Sequence, residues 1–190
     1  MKKFRNKFYL ITFSILLAVS LCFPASNHAL EPRLMDILIT NDVENVLLYA
    51  RLINGFKPDM ELGVLAGISA VFTMWVKVYE TRPLLWDRKI TEYEIKRTMK
   101  YDNLKKTFSV STNKNGQVIF SDFDSAQKAM SDFNGIVVAP MKSLAKGRNY
   151  YVMMKVKMDK VRLPLHMEYV FFFVTFWDFE TSWYRQNFSY

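Results

Sequence analysis

From Ser69 onward, apolar side chains recur at every second position. Ala70, Phe72, Met74, Val76 and Val78 fall on one side of the chain, and Thr73, Trp75, Lys77 and Tyr79 on the other. A period of two marks a β-strand, in which successive side chains point to opposite faces, so a chain patterned this way must bury one face against another layer. The pattern returns twice. Tyr93, Ile95, Met99 and Tyr101 alternate with Glu92, Glu94, Lys96, Thr98 and Lys100, and Tyr150, Val152, Met154, Val156 and Met158 stand against Lys155 and Lys157. Strands with one apolar and one polar face assemble into antiparallel sheets that are dry on one side and wet on the other.

Shorter signals fill the intervals. Residues 34–40 and 46–53 are two apolar runs separated by Asn41, Asp42, Glu44 and Asn45, which predicts a hairpin. Residues 108–111 and 117–120 flank Asn115-Gly116, a dipeptide suited to the positive backbone angles of a tight turn. Met60, Val64, Leu65 and Ile68 recur at helical spacing and predict a short helix docked on a sheet. A second helix is expected after Ser121 and Asp124, read as a loose capping box, with Phe123, Ala126, Ala129, Met130 and Phe133 on one side and Asn134-Gly135 as its stop. Residues 136–139 then predict a short strand, and the apolar tail from Glu168 to Tyr184 a late strand buried on both faces, or one whose second face meets something else. The chain is thus expected to be mainly β (α+β), a single antiparallel β-sandwich-like domain of about eight strands with two short helices.

The first 29 residues carry different information. Lys2, Lys3, Arg5 and Lys7 precede an apolar stretch at residues 8–23 that Pro24, Ala25 and Ser26 interrupt, the layout of a signal peptide. Cleavage after Ala29 leaves residues 30–190 as the exported domain, and an uncleaved anchor is the alternative. The expected location is the periplasm. Four cations lie ahead of the first apolar run and the first acid is Glu31, so a chain starting near Leu30 keeps half of the net charge of +8. That residual charge is too small for a nucleic-acid-binding protein. Cys22 is the one cysteine. Leu21 precedes it where an acylated lipoprotein cysteine needs a small residue, so Cys22 is read as part of the apolar stretch, and the exported domain must stand without disulfides.

Little catalytic chemistry is legible. His166 is the one histidine outside the first 29 residues, which leaves neither a His-rich nor a Cys-based metal site to assemble, and no cofactor is expected. Glu92 and Glu94 share a strand face with Lys96 and Lys100, favouring cross-strand ion pairs over paired acid–base carboxylates. No glycine-flanked serine nucleophile is present.

Aromatic residues, 16% of the chain, are the feature most open to function. They crowd the tail, where Phe171, Phe173, Trp177, Trp183 and Tyr184 form either core or an apolar contact surface, with Trp75 and Tyr79 on the polar side of the long strand as a second candidate surface. Lys142, Lys146 and Arg148 suit either anionic headgroups or a solvated loop.

Gly67-Ile68 ahead of the long strand, Trp86, Tyr101 with Leu104, Leu163-Pro164, and Trp177 with Trp183 occur in an order that resembles the exported proteobacterial family called domain of unknown function 4390. The resemblance spans residues 34–184. It implies an exported domain and supplies no residue role. The expectation is therefore a non-enzymatic periplasmic binding or interaction domain whose partner is an envelope protein or a lipid. A carrier of lipid or another apolar ligand is the first alternative. An enzyme of unrecognised type, built from Glu92 or Asp178 around His166, is the second.

Overall fold

The computed structural model describes residues 31–113, 116–159 and 177–190. In chain order these form β1 (Arg33–Asn41), β2 (Asn45–Ile53), α1 (Met60–Leu65), β3 (Ala70–Glu80), β4 (Arg88–Asp102), β5 (Thr107–Thr112), β6 (Gln117–Phe120), α2 (Phe123–Ser131), β7 (Asp132–Pro140), β8 (Asn149–Met158), β9 (Phe179–Glu180) and β10 (Tyr184–Ser189). One sheet has the order β1-β2-β7, and the other β10-β8-β3-β4-β5-β6 with β9 beside β8. Every pairing is antiparallel. The mainly β, sandwich-like fold with two short helices is as expected, with ten strands among the described residues rather than about eight.

The extra strands come from the tail. Residues 168–176 of the expected late strand lie outside the described residues, and beyond them the chain runs antiparallel along β8, first as β9 and then as β10. Polar residues obscure β10 in the sequence, yet its inward positions still alternate: Tyr184 lies opposite Met154 and Phe188 opposite Tyr150, the last two rings stacked at 5.5 Å.

Strand β3 is the spine of the large sheet, with β4 on one side and β8 on the other. Its inward residues Ala70, Phe72, Met74, Val76 and Val78 are fully buried, level with Ile95 and Met99 on β4 and with Val152, Met154, Val156 and Met158 on β8. Val46, Leu48, Ala50 and Leu52, alternate residues of β2, contribute to the same core from the small sheet. Each large apolar side chain buried this way contributes roughly 1.5–3 kcal/mol relative to exposure. That explains why the period-two pattern alone suffices to place these strands.

The second helix departs from its expected ends at both termini. Its N-cap is Asp122, not Ser121. The Asp122 carboxylate accepts the Ser125 N–H at 2.8 Å while Asp124 sits in the first turn, where negative charge is favourable. The helix stops at Ser131, ahead of Asn134-Gly135, and that dipeptide lies inside β7, where Gly135 has φ +65° and the register with β2 shifts. The glycine serves a bulge in the strand, not the end of the helix. The actual terminator comes from another strand. Arg97 on β4, 8% exposed, points inward and donates through Nη1 to the carbonyls of Ala129 (2.7 Å), Met130 (3.3 Å) and Asp132 (2.8 Å).

Turn and cap carboxylates are held below their ordinary range by the groups that donate to them. The Asn45 N–H does this for Asp42, the Lys105 N–H for Asp102 and the Ser125 N–H for Asp122. A carboxyl depressed in the folded state contributes stability that is present above its unfolded value and lost as pH falls through the folded one. The urea midpoint is therefore expected to hold steady down to about pH 5 and to decline below about pH 4, near the unfolded carboxylate values. Asparagine at 42, 102 and 122 together keeps the turn acceptors and removes the titration, so it should make the acid limb shallower. Urea melts across this pH range check both outcomes.

Candidate functional site

The side of β3 facing away from the core carries Trp75, Lys77 and Tyr79. Pairing sets these opposite Lys155, Met153 and Tyr151 of β8, and Arg185 of β10 lies opposite Met153 on the next strand out. Opposed residues in an antiparallel pair share a face, so three strands present one continuous outer surface. Aromatic rings and cations alternate across it. Lys155 Nζ lies 5.1 Å from the Trp75 ring and 4.9 Å from the Trp183 ring, Lys77 Nζ lies 5.3 Å from Trp183, and the Arg185 guanidinium sits 3.6 Å over Tyr151. Tyr79 and Tyr151 stack at 5.2 Å. Such contacts contribute about 0.5–1 kcal/mol each at exposed sites, and here they fix long side chains that would otherwise sample many rotamers.

Carboxylates frame the patch. Glu92 meets Lys77 at 3.0 Å and Lys89 at 2.7 Å, and these two donors, Lys89 foremost, hold its carboxyl below the usual range. Glu180 is paired with Lys155 and lowered for the same reason. Asp87 accepts the Tyr151 hydroxyl at 2.8 Å, which lowers Asp87, and Tyr151 is raised, by burial first and by this bond second. The expected cross-strand ion pairing thus forms, with Glu92 reaching Lys77 on the neighbouring strand. Glu94 approaches Lys96 at 3.6 Å.

Of the seven candidate surface residues, Trp75, Tyr79 and Trp183 come together here, with Trp183 at 38% exposure and the other two half-buried. Two are corrected by position. Trp177 is fully buried, its indole N–H donating to Asp59 at 3.2 Å and its ring lying over Gly63 of α1. Tyr184 packs toward the core, because its register with Met154 puts it on the inward side and leaves the outer side to Arg185. Phe171 and Phe173 lie outside the described residues, as does His166. The sequence reading missed Tyr151 and Arg185. The alternation that placed Lys155 on the polar side of β8 also places Tyr151 there, whereas Arg185 had no signal before β10 was known to exist.

Among the described residues no three of His, Cys, Asp and Glu gather as a metal site requires, and no helix is long and apolar enough to cross a membrane. The family model described as Domain of unknown function (DUF4390) matches residues 29–187. No curated protein and no solved structure matches the chain.

Proposed function

From a chain that belongs to the DUF4390 family, whose description assigns no activity, we propose a non-enzymatic binding domain of the bacterial periplasm that docks a partner protein on the outer face of its large sheet. The observation that carries this reading is the set of rings and cations built from Trp75, Lys77, Lys155 and Trp183. Tryptophan, tyrosine and arginine are the side chains that dominate binding energy at protein interfaces, the two aromatic ones because they bury large areas from few rotatable bonds. On this face they are already held in place by one another, so docking orders little that is not ordered beforehand. The periplasmic assignment rests on the basic and apolar layout of the first 29 residues.

The test is purification of the C-terminally tagged protein from gently solubilised cells, with its N-terminal peptide and co-purifying material identified by mass spectrometry. An N-terminus at Leu30 and a stoichiometric envelope protein are expected. Trp183→Ala should weaken that partner at least about tenfold, which corresponds to 1.4 kcal/mol, while leaving the unfolding midpoint nearly unchanged, since the residue is partly exposed. Retained lipid without a protein partner would replace this reading with the carrier. Binding indifferent to Trp183→Ala and Lys155→Ala together would move the contact surface elsewhere.

A further inference from the structure

The loop between β3 and β4 ends in an apolar apex. Leu84 is 96% exposed, Leu85 70% and Trp86 93%, three consecutive large apolar side chains in water. The base of the same loop is tied down. Thr81 N–H donates to the Asn149 carbonyl, Asp87 accepts both the Arg82 N–H at 3.1 Å and the Tyr151 hydroxyl, and Glu80 holds Arg88 at 2.7 Å and Arg82 at 3.8 Å. The loop therefore leaves the end of the sheet from a fixed base, where β3 is paired with both β4 and β8 as far as Glu80, and Pro83 removes one backbone N–H from the exposed segment.

Arg82, Arg88 and Lys89 flank the apex along the chain, the arginines paired with Glu80 and the lysine with Glu92, and the segment leading into Asn149, which the base of the loop touches, exposes Lys142, Lys146 and Arg148. Among the described residues no ion pair engages those last three. Glu80 and Asp87 are engaged at the base of the loop, and Glu92 is engaged by Lys89 and Lys77.

We propose that this hairpin is a membrane-contact device that seats Leu84, Leu85 and Trp86 in the interfacial region of an anionic phospholipid bilayer, with the cations behind them on the headgroup phosphates. Along the chain the two leucines are followed by the indole and, past the engaged Asp87, by Arg88 and Lys89, which sets apolar groups for the interface beside positive charge for the headgroups. A convex apex enters a fluid interface without needing a matching socket, and its backbone stays at headgroup level, where water and phosphate satisfy it. The inference does not rest on the proposed protein-docking face, and its apolar contacts, Leu84, Leu85 and Trp86, are not part of that face.

The test places a polarity-sensitive fluorophore at position 85 of the full-length chain through Leu85→Cys, in a Cys22→Ser background that removes the single native cysteine. A matched protein carries it at position 104, because Leu104 is 96% exposed in the turn at the opposite end of β4. With vesicles of phosphatidylcholine and phosphatidylglycerol, a lipid-borne quencher should reduce the signal at 85 several-fold more than at 104. The difference should shrink in phosphatidylcholine alone and at high salt, which screens the charges. Leu84→Ser with Trp86→Ser should bring position 85 down to the level of position 104, with an unchanged unfolding midpoint because both residues lie in water. Quenching at 85 no greater than at 104 would overturn the proposal. So would equal quenching in neutral vesicles, or a label at 85 already shielded before vesicles are added, which would assign the apex to a protein partner or a second copy.

Discussion

Trp177→Ala is expected to destabilise the domain by about 3–5 kcal/mol, the range for emptying a large aromatic site in a packed core. The indole is fully enclosed, and its N–H satisfies Asp59 just ahead of α1. Its removal therefore leaves both a void and a displaced polar contact. The same ring explains a glycine in a helix six residues long. A Cβ on Gly63 would fall 2.2 Å from the far edge of the Trp177 ring, closer than real Cβ atoms come to anything. Gly63→Ala should therefore destabilise despite alanine's better helix propensity, which favours it by about 1 kcal/mol at an unobstructed site. Trp177→Phe should recover part of the alanine loss. Introducing Gly63→Ala into Trp177→Ala should cost less than it does alone, because the clashing ring is gone. Urea melts of the four proteins give the cycle. Additive losses would mean that ring and glycine do not meet.

Arg97→Met is expected to cost about 3 kcal/mol, although methionine matches much of the arginine's apolar length. The loss comes from the three carbonyls at the end of α2 and the start of β7, which are left without their donor; a buried polar group left unsatisfied costs about 1–3 kcal/mol. Burial lowers the guanidinium to about 10, against the opposing pull of Asp132, so it remains charged at neutral pH. Its positive charge at a helix C-terminus complements the helix dipole. Stacking at 4.4 Å over Phe133 adds a contact that a lysine ammonium makes less well. Arg97→Lys should therefore fall between wild type and methionine. Hydrogen exchange should report the loss first in the last turn of α2 and the first residues of β7, and uniform loss across both sheets would assign Arg97 a more general packing role.

These residues mark where reading the sequence stops. Position 97 sits on the apolar side of a strand whose pattern is otherwise regular, between Ile95 and Met99. Periodicity identifies that side as buried but says nothing of what satisfies a charge there, because the three carbonyl partners lie more than thirty residues away in the chain. Asn134-Gly135 misled for a related reason. The dipeptide signals a backbone that can take positive φ, and both a helix stop and a strand bulge use one. Only the pairing of β7 with β2 decided between them. Trp177, Trp183 and Tyr184 stand close together in sequence yet reach the core, the outer face and the inward side of an edge strand, since where each falls depends on how the chain around β9 and β10 runs along β8.

The amino-acid sequence by itself determined the alternating strands, most of the turns between them, the two short helices and therefore the antiparallel, mainly β class. All of these follow from interactions within a few residues along the chain: side-chain alternation, backbone angles at glycine and asparagine, and carboxylates accepting nearby N–H groups. The tertiary structure alone decided the order of the strands, the enclosure of Trp177 and Arg97, and the meeting of Trp75, Tyr79, Tyr151, Trp183 and Arg185 on one surface. Strand neighbours are chosen by burial summed over the whole core, which no local window contains, and a surface made of three strands exists only once that choice has been made.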